Sequence, residues 1–150
     1  MNSEGTYSSK QAASIVGLTY RQVDHWIRSG FLLPEKPANG SGSRRGLSTN
    51  DLMSMSLAKA ISNAGVPLVF AFESIKNMHE APNTAENEFI VISDGEPKLI
   101  QFSNLDRDKA YRSIFKNGKV ITAINVSEIR ENLDAAILAF NQTRELGGQR

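Results

Sequence analysis

Two copies of one short pattern, close together, constrain the start of this chain more than anything else in it. Ser8-x-x-Gln11 and Thr19-x-x-Gln22 each place a hydroxyl residue three positions before a glutamine. In that arrangement the hydroxyl oxygen accepts the amide of the third helical residue, whose own side chain reaches back to the cap, so both ends of the first turn are satisfied. Ala12, Ala13, Ile15 and Val16 follow the first box before Gly17 stops the helix. Val23, Trp26 and Ile27 follow the second, with Gly30 at the position beyond its end where a left-handed residue is favoured. Two short helices joined by Gly17, Leu18 and Thr19 have the spacing of a helix-turn-helix.

The next stretch changes character. Phe31-Leu-Leu-Pro34 leads into Ala38-Asn-Gly-Ser-Gly-Ser43 and then Arg44-Arg45-Gly46. Two short extended pieces around a Gly/Ser tip carrying paired arginines read as a β-wing. Ser48 with Asp51 caps a third helix, with Leu47 and Leu52 where a hydrophobic staple belongs and Leu52, Met55, Leu57, Ala58 and Ile61 as its buried side. After Gly65, Pro67 suits the first turn of a fourth helix holding Leu68, Phe70, Phe72, Ile75 and Met78.

Glu80–Asn87 reads as a linker, so residues 1–79 form one expected domain and 88–150 another. In the second, Phe89-Ile-Val-Ile92 and Lys98-Leu-Ile-Gln-Phe102 flank Asp94-Gly95, a two-residue hairpin signal. Ser103 with Asp106 opens a helix closed by Gly118, Lys119–Asn125 is β-rich, and a last helix from about Ser127 carries the stripe Val126, Ile129, Leu133, Ala136, Ile137 and Phe140. The expected fold class is α+β: a four-helix winged helix-turn-helix followed by a β-β-α-β-α domain.

Composition excludes several functions. There is no cysteine, hence no disulfide framework, thiolate metal site or Cys nucleophile. His25 and His79 lie far apart without a carboxylate pattern, so no metal and no cofactor are expected. No Gly-rich phosphate loop, Ser/His/Asp set or paired carboxylates appear, and the protein is read as not an enzyme. No apolar run approaches the roughly 20 residues of a membrane span, and Met1–Lys10 is too polar for a signal peptide, which points to a cytoplasmic protein without a membrane partner. The net charge is +1, but residues 1–67 carry +3 and residues 68–150 carry −2. The basic excess therefore lies with the helix-turn-helix.

On the helix opened by Thr19, Arg21 and Gln22 have the donor geometry for guanine and adenine edges, while Thr19, Tyr20 and Arg28 suit phosphate oxygens. Arg44 and Arg45 on a Gly/Ser tip suit a duplex backbone. With Ser8, His25 and Ser43 these residues make the expected DNA-binding set. The apolar surface of the fourth and last helices exceeds what a three-strand sheet covers, so Phe70, Ile75, Ile129, Leu133, Ile137 and Phe140 are expected at a homodimer interface.

The segment from Tyr7-Ser-Ser-Lys-Gln-Ala-Ala13 to Gly65-Val-Pro-Leu68 resembles the winged helix-turn-helix of MerR-type transcriptional regulators. Leu18-Thr-Tyr-Arg-Gln-Val-Asp-His-Trp26, Arg28-Ser-Gly-Phe-Leu32 and Gly40-Ser-Gly-Ser-Arg44 look like an actinobacterial, cysteine-free subgroup, and Phe89–Gly95 is similar to that subgroup's C-terminal domain. The resemblance implies a homodimeric regulator that binds palindromic promoter DNA, where RNA polymerase is a further partner. It places Thr19, Tyr20, Arg21 and Gln22 in the recognition helix and Ser43 and Arg44 in the wing. Where many members have Arg-Tyr-Tyr, this chain has Asp24-His25-Trp26. An excisionase-like or partition-type architectural protein is the alternative that the same helix-turn-helix allows.

Overall fold

The computed structural model describes residues 6–34, 46–79, 87–93, 96–102 and 121–148. Along the chain these form α1 (Ser9–Val16), α2 (Tyr20–Arg28), α3 (Thr49–Asn63), α4 (Leu68–His79), β1 (Asn87–Ser93), β2 (Glu96–Phe102), β3 (Ile121–Asn125) and α5 (Val126–Gly148). The expected tip at 35–45, with Ser43, Arg44 and Arg45, and the expected helix within 103–118 lie outside the described residues.

Two compact units emerge. One comprises Met1–Ser56 with Arg130–Arg150, the other Leu57–Ile129. α3 and α5 both run from one unit into the other, and residues 80–86 of the expected linker lie outside the described residues.

In the first unit the capping boxes form as their spacing requires. The Ser8 amide donates to Gln11 Oε1 at 2.9 Å and the Gln11 amide to Ser8 Oγ at 3.1 Å. At α3 the Ser48 amide donates to Asp51 Oδ2 at 2.9 Å and the Asp51 amide to Ser48 Oγ at 3.1 Å. Leu47 and Leu52, the staple positions, are fully buried. Tyr7, Ala12, Ala13, Val23, Trp26 and Leu32 are buried in the same unit, so Trp26 is a core residue. Tyr7 pairs with Leu47 in an isolated antiparallel bridge, each amide donating to the other's carbonyl at 2.8 Å.

The buried side of α3 is wider than its apolar pattern foretold. Leu52, Met55, Leu57, Ala58 and Ile61 are buried, and so are Asp51, Met53 and Ser54. Asp51 tolerates burial because its carboxylate is held by the Ser48 amide.

The second unit is built on a three-stranded sheet of order β2-β1-β3 with both pairings antiparallel. Ser93 pairs with Glu96, which leaves only two residues to connect β1 to β2, the hairpin length that Asp94-Gly95 signalled. Ile90, Val91 and Ile92 are buried in succession. Successive strand residues point to opposite faces, so both faces of the central strand are covered. β2 begins at Glu96, earlier than expected, because Pro97 is tolerated on an edge strand. Asn87, assigned to the linker, is instead the first residue of β1. On α4, which lies against β2, Ala71, Phe72 and Ile75 are buried while Phe70 is 53% exposed.

α5 starts at Val126, directly after β3, and runs to Gly148, well past Phe140. The Glu128 amide donates to Asn125 Oδ1 at 3.0 Å, so the last residue of the strand caps the helix. The hydrophobic stripe alone could not reveal this, because it marks a buried face and not a helix end.

Removing the Ser48 hydroxyl leaves a first-turn amide of α3 without its acceptor. Ser48→Ala is expected to lower stability by about 1 kcal/mol, read as a shifted urea midpoint with an unchanged slope.

Candidate nucleic-acid interface

The turn between α1 and α2 depends on Gly17. Its φ of 80° is left-handed, and its amide and that of Leu18 both donate to the Ala13 carbonyl at 2.9 Å. A side chain there costs roughly 1–2 kcal/mol, so glycine lets the chain reverse within three residues and cap α2 at Thr19.

α2 then divides its faces sharply. Val23 and Trp26 are buried, while Thr19, Tyr20, Arg21, Gln22, His25 and Arg28 are all exposed. Six of the ten residues expected to meet DNA thus share one short helix and its cap. Neither α1 nor α2 has an acidic residue in its first turn, whereas α3 has Asp51 there. The positive ends of the first two helix dipoles are therefore not neutralised by their own carboxylates.

Several of these side chains already hold local positions. The Thr19 amide donates to Gln22 Oε1 at 2.9 Å, Thr19 Oγ1 donates to the same oxygen at 3.2 Å, and the Gln22 amide donates to Thr19 Oγ1 at 3.1 Å. Gln22 therefore offers only its Nε2 donors outward, and the two-point adenine contact expected for it requires opening the cap. Arg28 Nε meets Asp24 Oδ2 at 3.0 Å, an exposed i,i+4 pair of about 0.3–0.5 kcal/mol. His25 Nδ1 lies 3.2 Å from Ser29 Oγ, and its ring stands edge-on to Phe31 with centroids 6.1 Å apart. Arg21 has no ion-pair partner among the described residues.

Lys10 belongs to this surface, although the sequence reading omitted it. Its Nζ stands 5.9 Å from the centre of the Tyr20 ring, so α1 contributes a cation beside the first residue of α2. That proximity arises from the packing of α1 on α2, which no local pattern announces. Ser8 is exposed, its oxygen occupied as an N-cap acceptor and its O–H still available as a donor.

The base of the expected wing is tightly built. A Cβ on Gly46 would come within 2.9 Å of Thr6 Cβ, so Gly46 passes Thr6 at a distance that favours glycine. Tyr7 also meets Phe140 of α5 in an edge-on ring contact, centroids 5.9 Å apart and planes at 69°.

The residues expected at a homodimer interface differ in accessibility. Ile75 and Leu133 are buried within the chain itself, Ile129, Ile137 and Phe140 are half-buried, and Phe70 is exposed. Val69, Leu138 and Leu146 are further exposed apolar side chains that the amphipathic stripe did not single out. Among the described residues, no three His, Asp or Glu side chains cluster as metal ligands would, and no helix is long and apolar enough to cross a membrane.

Residues 7–69 match the family described as MerR HTH family regulatory protein. Over 144 residues, 95% of its length, the chain is 25% identical to proteins named "uncharacterized HTH-type transcriptional regulator" from Mycobacterium bovis and from two strains of Mycobacterium tuberculosis. It spans 62% of the length of those relatives. The capped helices, the glycine turn and the Tyr7–Leu47 bridge all fall inside the segment that matches the MerR-type helix-turn-helix family.

Proposed function

We propose that the protein is a sequence-specific DNA-binding transcriptional regulator that acts as a homodimer on a palindromic promoter site. The observation that carries this reading is the outward face of α2, where Tyr20, Arg21 and Gln22 are exposed above a helix N-terminus free of acidic residues. Arg21, with no carboxylate to hold it among the described residues, is the residue for a guanine edge. Tyr20, Lys10 and Arg28 supply phosphate contacts that set the register of the helix in the groove. Arg44 and Arg45 reach along the backbone, and Ser43 and His25 add polar contacts.

One such module reads only a few base pairs, and each good contact is worth roughly 1–3 kcal/mol. That is too little discrimination among the sites of a genome. Two copies about a twofold axis double the contacts and read half-sites separated by whole helical turns or by a distance that distortion corrects. The exposed Phe70, Leu138 and Leu146 are the apolar side chains offered to a second copy.

Titration of the wild type and variants against a duplex selected from a random pool, at several salt concentrations, tests the DNA reading. Arg21→Ala is expected to cost about 1–3 kcal/mol and to relax specificity at one position. Arg44→Ala weakens all sequences alike and lowers the salt slope by about one. Unchanged affinity in both variants removes the helix-and-wing interface.

Gln22→Glu separates capping from recognition. Glutamate is the preferred third residue of a capping box and is favoured at a helix N-terminus, so stability is expected to rise by about 0.3–1 kcal/mol. DNA affinity falls by about 1 kcal/mol or more, as a carboxylate replaces the outward amide donors. A variant that gains stability and keeps full affinity places Gln22 outside the interface.

Sedimentation of the wild type at micromolar concentration is expected to show a dimer. Phe70→Asp and Leu138→Asp, tested singly, are folded proteins in which at least one shifts toward monomer and loses affinity for the palindrome. A monomeric wild type that binds one palindrome tightly refutes the dimer.

A further inference from the structure

We infer, resting on the DNA-binding reading above, that Gln22 selects guanine and not adenine at one position of each half-site. Its capping of α2 leaves it able only to donate.

A free glutamine side chain has a carbonyl oxygen that accepts and an NH2 that donates, the pair that matches N6 and N7 of adenine. On α2 only one end of that amide is free. Gln22 Oε1 accepts the Thr19 amide at 2.9 Å and the Thr19 hydroxyl at 3.2 Å, which fills both of its lone pairs. The same contacts fix which end is which. The Thr19 amide can only donate, and an NH2 turned toward it would set donor against donor. Gln22 Nε2 has no partner among the described residues, and Gln22 is exposed. The side chain therefore offers two N–H donors and no acceptor from the first turn of α2, the end of a recognition helix that meets base edges.

Two donors on one nitrogen need acceptors opposite them. In the major groove guanine presents two adjacent acceptors, N7 and O6, whereas adenine sets its N6 donor beside N7. Thymine presents O4 alone next to a methyl group, and cytosine presents a donor. Guanine thus takes both donors with the cap closed. A two-point adenine contact withdraws Oε1 from Thr19, and losing an N-cap interaction shifts the helix equilibrium by about two- to thirtyfold. A glutamate at this position keeps one oxygen on the cap and turns the other outward. The base that answers an acceptor is cytosine, through its N4.

The test is selection from a random duplex pool with the full chain, for the wild type, Gln22→Glu and Arg21→Ala. The wild type is expected to select guanine at a position where Gln22→Glu selects cytosine, while Arg21→Ala relaxes a different position. In titrations, adenine in place of that guanine weakens wild-type binding by about five- to 150-fold. A guanine analogue without the N7 acceptor weakens it as well. Gln22→Ala, with neither donor nor acceptor, binds the guanine and adenine sites equally, and it is read instead if Gln22→Glu binds too weakly for selection. A residue that only capped α2 would leave the base preference unmoved in a variant that still caps it. A base other than guanine at the position that the Gln22 variants alter overturns the inference while the DNA-binding reading stands, adenine being the mark of an opened cap. Unaltered base preference in both Gln22 variants overturns it too. A wild type that binds no duplex removes the DNA-binding reading, and the inference falls with it.

Discussion

Reciprocal capping is the interaction on which the first unit depends. α1 has 8 residues and α2 has 9, lengths at which an isolated helix is not stable in water. Each exists because its first-turn amides are satisfied by its own side chains and its apolar side is covered. Gly17 then converts two marginal helices into one rigid corner, since both Gly17 and Leu18 bond back to Ala13 while Thr19 is already capping α2. The position of every outward side chain on α2 follows from that corner. A helix placed by caps and a turn, and not by length, has a fixed starting residue, which reading bases from a helix N-terminus requires.

The same economy restricts what α2 can offer. Of its outward polar residues, Gln22 is occupied by the cap, Arg28 by Asp24, and His25 by Ser29 and Phe31. These contacts are each small, in the range of surface pairs and caps. Together they fix rotamers before any ligand arrives, which lowers the entropy cost of binding. Arg21 is the exception: exposed and without an ionic partner among the described residues, its guanidinium keeps its donors uncommitted to any carboxylate there. The division is therefore between residues whose polar groups are already engaged within α2 and one whose guanidinium has no ionic partner among the described residues.

How much of this was legible in the sequence follows the range of the interactions. The boxes at Ser8, Thr19 and Ser48, the glycine stops and the two-residue hairpin connection are local, and the structure matches them nearly residue for residue. So is the core role of Trp26. What could not be read depends on segments meeting across the chain. Lys10 joins Tyr20 only through the packing of α1 on α2. The burial of Asp51, Met53 and Ser54 exceeds any one helical face, which a periodic apolar pattern does not announce. Asn125 was read as the end of a strand, and its second duty as the cap of α5 is visible only once the strand and helix are seen to be contiguous.

Contacts between segments far apart in the sequence show the limit most clearly. A polar stretch such as Glu80–Asn87 marks where a chain is free to separate, and it is a reasonable place to look for a boundary. Compactness, however, is decided by which apolar groups find each other. Tyr7 has its aromatic neighbour in Phe140, at the opposite end of the chain, and this contact lies within a unit that gathers the first and last segments together. Neither residue carries a local signal of the pairing: Tyr7 precedes the first helix, and Phe140 is one member of an unremarkable stripe. A sheet whose central strand buries three successive residues can stand on its own hairpin and flanking elements. The Tyr7–Leu47 bridge, by contrast, is met at Tyr7 by a ring from α5, so its packing draws on a segment from the far end of the sequence.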